Sequence, residues 1–230
     1  MNRKRLKLLA PLALVGLLAV ACGSNDKPAG NAAGTDQTNA TAPDHAMSAG
    51  TDSGASRLRA GLTSLLQEHV YLAGITTGEA LAGHDYKAAA AALEANTQGL
   101  QDAVTSVYGD AGGRQFGDLW RKHIGFFVDY TTGRATNDQA KIDKARADLD
   151  GYRADFGAFI ESATKGGLSK QAVADDLKPH VESLFAAIDA QAAKDPGQFA
   201  ALKAAAAHMP MTASVLSGAI TKQFPDKFAG

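Results

Sequence analysis

From Ser56 to about Gln223, apolar residues recur at spacings of three and four, as in Leu58, Leu62, Leu65, Leu66, Leu72 and Ile75. That spacing gathers them on one face of a helix turning every 3.6 residues. Alanine-rich stretches at 88–92 and 204–207 add high helix propensity and little preference for strand. Clusters of Gly, Asp and Pro interrupt the pattern at 83–85, 109–113, 133–138, 166–167 and 195–197. The pattern predicts an all-α fold with helices over about 56–82, 86–107, 114–132, 138–164, 169–194 and 197–222.

The pattern also repeats. Leu65-x3-His69-Val70 recurs as Leu119-x3-His123-Ile124 and then as Leu177-x2-His180-Val181. An Asp follows each histidine by 15 or 16 residues (Asp85, Asp138 and Asp195), in a turn where it can cap the next helix. The second helices align as well, setting Asn96, Tyr152 and His208 at corresponding positions. The expectation is a six-helix bundle built from three repeated αα-hairpins of about 55 residues. Each hairpin is too small to hide its apolar face alone.

Residues before 56 follow different rules. Met1 to Lys7 is short and basic, and Leu8 to Val20 is an apolar run of 13 residues. A helix needs about 20 apolar residues to span a bilayer, so the run reads as a secretory leader. Leu18-Ala19-Val20-Ala21-Cys22 closes it and resembles the lipobox of bacterial lipoproteins, with Ala19 where Leu is usual. The resemblance implies a signal peptide over 1–21 and a diacylglyceryl group on Cys22. It implies attachment to the cell membrane, facing outside the cytoplasm, for which two or more acyl chains suffice. Residues 23–55 hold no aromatic, Leu, Ile or Val, and read as a disordered tether between Cys22 and a helical domain over 56–230. His45 and Met47 in that tether are read as incidental.

Charge and cysteine content narrow the chemistry. The leader carries Arg3, Lys4, Arg5 and Lys7, so its removal takes the net charge from −1 to −5. A mildly acidic chain is a poor partner for nucleic acid. A single Cys excludes an internal disulfide framework, zinc ribbons and iron–sulfur sites. The sequence contains no HExxH, GxSxG, Walker loop or dinucleotide fingerprint. It therefore names no reaction.

The histidines are the candidate chemistry. By periodicity His69, His123, His180 and His208 all point inward, and each lies 9 to 15 residues from its hairpin turn. They are expected at one level near the middle of the bundle. Converging neutral imidazoles suit copper or zinc. His208-Met209-Pro210-Met211 adds thioether sulfur, which favours copper, and places Met209 and Met211 on different faces unless Pro210 disturbs the helix. The competing expectation is that the histidines are packed core residues of a non-catalytic envelope module. The aromatics Trp120, Phe126, Phe127, Tyr130, Tyr152, Phe156 and Phe159 thicken the core of the second unit. They leave a haem or apolar-ligand carrier as a third expectation.

From Leu65 to Phe228 the chain also resembles a group of extracytoplasmic bacterial helical proteins. The likeness rests on Glu68-His69-Val70, Leu119-Trp120-Arg121-Lys122-His123-Ile124, Asp129-Tyr130-Thr131 and Gln223-Phe224-Pro225. Members sometimes carry a copper amine oxidase label, which belongs to a separate β-rich domain missing from this chain. The resemblance implies fold and location and carries no amine oxidase chemistry.

Overall fold

Several helices begin or end where their terminal backbone groups find partners. In the structure, a computed structural model describing residues 53–229, α1 (Gly54–Ala82) starts on Ser53, whose hydroxyl accepts from the Ser56 N–H. It stops at Gly83, in the left-handed region at φ 74°. Asp85 accepts from Lys87 N–H at the start of α2 (Lys87–Thr136). Asp138 caps α3 (Gln139–Ala163) through the Lys141 N–H, and Ser169 caps α4 (Lys170–Ala192) through the Ala172 N–H. Asp195 accepts from Gly197 N–H just before α5 (Gln198–Ala207). α6 (Met209–Gln223) and the single turn α7 (Pro225–Phe228) complete the chain.

The all-α expectation holds among the described residues, while three boundaries move. The predicted linker over 109–113 shrinks to Gly109, whose φ 75° and ψ 176° are open in practice only to glycine. Helix resumes at once, and the arm 110–136 folds back along the arm 87–108, so that Arg121 meets Glu94 and Gln101. Gly113 is no breaker. A Cβ there would run into Thr105, so its small size lets the two arms touch. Gly133 likewise sits inside helix, close against Ile142, and the turn waits for Asn137. The predicted helix 197–222 divides at His208, where Pro210 opens α6 without an N–H to give. Pro179, by contrast, lies within α4, which continues through it.

α1, the two arms of α2, α3 and α4 run successively antiparallel, in line with the bonds Asn96–Leu65, Arg146–Tyr130 and Arg153–Ala174. α1 packs on α2 and also on α4, α5 and α6, which closes the bundle and excludes an open array. One core results. Leu149, Leu184, Ile188, Val70 and Tyr130 are sealed at its centre, and the expected aromatics join it, Phe126 only in part. The expected signal peptide, Cys22, His45, Met47 and the expected tether up to residue 52 lie outside the described residues. α1 itself begins two residues before the expected start at 56. Among the described residues no helix is long and apolar enough to cross a membrane.

Candidate functional site

Closure of the bundle brings two of the four histidines into contact. His69 on α1 and His123 on the second arm of α2 are both buried, and their Nε2 atoms lie 3.3 Å apart. One Nε2–H donates to the other nitrogen. The Nδ1 atoms of both rings are buried without a hydrogen-bond partner among the described residues. Trp120 packs on both imidazoles, at 4.8 Å from His69 and 4.5 Å from His123, and Tyr152 stacks on His123 at 4.9 Å. The Trp120 indole nitrogen and the Tyr152 hydroxyl are also buried without partners.

Such surroundings suppress charge. Burial, followed by the nearness of His180, pushes the His69 imidazole down to about 3. Burial and then the neighbours His69 and His180 hold His123 well below the usual histidine range, against a smaller opposing effect of the Trp120 carbonyl. Burial, with His208 nearby, takes His180 down to about 4. It also pushes the Tyr152 hydroxyl well above its ordinary value. At neutral pH the three buried histidines are uncharged bases whose lone pairs face no competition from protons.

The other candidates are placed differently. His180 is buried and lines an apolar cavity of about 80 Å³ beside Trp120, Met209 and Thr212, with its own Nδ1 unpartnered. A haem would fit that cavity only if the helices separated. His208 stands at the α5–α6 break with its side chain 17% exposed. Its Nε2–H donates to the Asp176 carbonyl at 2.9 Å, and the Asp176 carboxylate lies 3.4 Å away and accepts from Thr212. Met209 is buried at 2% exposure, whereas Met211 is 59% exposed on the opposite face. The expected meeting of four histidines and two methionines therefore reduces to one histidine pair with His180 nearby. Among the described residues, no group of three or more His, Cys, Asp or Glu side chains is arranged to hold a metal ion. Asp176 escaped the sequence reading, although its position four residues before His180 puts both on one helical face.

The pair itself fits a metal in one respect. Two nitrogens at about 2.0–2.1 Å from one ion, with a tetrahedral angle between them, stand about 3.3 Å apart. The observed separation is that distance. The surroundings restrict which ion is acceptable, because the groups packed on the pair are aromatic and apolar and bring no carboxylate. A divalent cation would carry two uncompensated charges into low dielectric. A monovalent soft cation carries one, and its desolvation cost, which scales with charge squared, is about a quarter as large.

No protein-family model matches this chain, and no curated protein or solved structure matches it significantly.

Proposed function

We propose that this protein is a lipid-anchored, extracytoplasmic helical domain that binds one Cu(I) ion between His69 and His123. The observation that carries the reading is the 3.3 Å approach of two buried, neutral Nε2 atoms. For both Nε2 lone pairs to face one ion, the ring that donates in the pair moves its proton to its own Nδ1. No net proton leaves the site, because both imidazoles are already neutral. Bound copper supplies a soft cation with open coordination positions. Trp120 and Tyr152 fix the ring planes and keep water away. Zinc is the weaker fit, for want of a compensating carboxylate.

The anchor rests on the lipobox-like sequence at Cys22, and the location follows from it. The same reading takes the bundle as three repeated hairpins. Two features support this. The turns at Gly83, Asn137 and Lys194 each hold a residue at positive φ, followed within two residues by Asp85, Asp138 or Asp195. Asn96 and His208, at corresponding positions, both donate to the carbonyl four residues before the inward histidine of their own unit, Leu65 and Asp176 respectively.

Titration of the purified full chain with Cu(I) under reducing, anaerobic conditions, beside Zn(II), tests the proposal. The expected result is one Cu(I) per chain, bound at least a hundredfold more tightly than Zn(II). Absence of stoichiometric Cu(I) would leave the pair as packed core groups of a non-catalytic module.

A further inference from the structure

The histidine pair borders a second cavity, smaller than the one that holds His180. Its volume is about 40 Å³, and His69, His123, Ala73, Thr77, Phe127 and Leu184 contribute to its wall. Thr76 and the exposed Val128 also line it, so it reaches toward the surface between α1 and the second arm of α2. The wall is apolar in effect as well as in composition. The Thr76 hydroxyl donates to the Leu72 carbonyl, and the Thr77 hydroxyl is engaged by the Gly74 carbonyl and Gln191. Only the imidazoles remain as polar groups.

Size and polarity together select an occupant. A water molecule takes about 30 Å³ of liquid volume and needs two to four polar partners to stay buried. Measured as space open to a water-sized sphere, one water needs about 10–15 Å³, so the cavity has room for a few non-hydrogen atoms. A small apolar molecule is better suited to its wall than water.

Resting on the copper reading, we infer that this cavity receives a neutral diatomic molecule as a further ligand of the ion held by His69 and His123. Two imidazoles leave a Cu(I) ion with open positions. Trp120 packs tilted against His69 and edge-on against His123, and Tyr152 covers one face of His123, while the cavity touches both histidines. Binding requires only that the diatomic ligand share a lone pair with the metal. No bond within it breaks, and no electron leaves the copper.

Carbon monoxide is the probe. The full chain is loaded with one Cu(I) without oxygen, and the infrared band of bound CO is recorded. The wild type, Ala73→Leu and Leu184→Phe are compared, two substitutions that fill the cavity from opposite walls. Xenon NMR on the metal-free chain reports separately whether the cavity admits an apolar atom. The expected result is one CO per copper and a xenon shift in the wild type. In both filled variants CO affinity falls at least tenfold while copper stoichiometry is unchanged. Copper uptake without CO binding, CO binding equal in all three proteins, or no xenon shift would overturn the inference. A chain that takes up no Cu(I) fails earlier, before gas is added, and overturns the copper reading together with it.

Discussion

The two ends of the histidine series show how differently an inward-facing histidine can be used. His69 and His123 meet each other in a dry aromatic setting without a carboxylate, and burial strips them of charge. His208 sits at a break between helices, partly open to solvent, with its ring N–H bound to the Asp176 carbonyl and its carboxylate close by. All four histidines face inward, yet only one pair brings its Nε2 atoms together. Orientation follows from helical period. Chemistry follows from what the neighbouring helix brings to the same level.

The largest effect that would sharpen this contrast is acid sensitivity. A histidine with a folded pKa of about 3 or 4 takes up its proton far more readily when unfolded, near 6.5. Its contribution to stability is complete above about pH 6.5 and is lost as pH falls toward its folded value. At pH 5 His69 and His180 each cost about 2 kcal/mol relative to pH 7, and His123, also held below the usual histidine range by burial, adds to the loss in the same direction. Urea unfolding at the two pH values should show that loss. It should shrink in His69→Phe/His123→Phe. A fold equally stable at pH 7 and pH 5 would contradict the dry setting assigned to the pair.

Truncation gives a smaller separation. His69→Ala leaves a void in a sealed core and should cost about 3 kcal/mol in equilibrium unfolding. His208→Ala removes one hydrogen bond from a half-buried ring and should cost about 1 kcal/mol. Equal losses would mean that the two settings do not differ as described.

Much of this architecture is written in local patterns. The Asp residues that follow each histidine do stand at helix starts, and Ser169 caps α4, because capping needs only a short side chain at one position. Glycine was the misleading signal. Gly113 and Gly133 read as breaks, but they are contact points where a side chain would hold two helices apart. That role is visible only once the partner helix is known. The division at His208 has a local cause in Pro210, which was legible. Which histidines would meet was not, because periodicity fixes the face and approximate height of a residue but leaves helix neighbours open. Packing of α1 against the second arm of α2 decided that.

The smallest expected effect concerns the repeat. Asn96→Ala removes the bonds to the Leu65 carbonyl and the Glu68 carboxylate, as His208→Ala removes the bond to the Asp176 carbonyl and the contact with its carboxylate. It should cost about 1 kcal/mol, matching His208→Ala within a few tenths. A markedly larger loss at one site would argue that the two bonds are not equivalent.

Most direct is a Cu(I) competition titration of two double variants of the full chain. One removes the pair (His69→Phe/His123→Phe), and the other removes the remaining histidines (His180→Phe/His208→Phe). Stoichiometric Cu(I) binding should vanish in the first and persist within about tenfold of wild type in the second, about 1.4 kcal/mol. Cu(I) held by the first variant and lost from the second would contradict the assignment to His69 and His123.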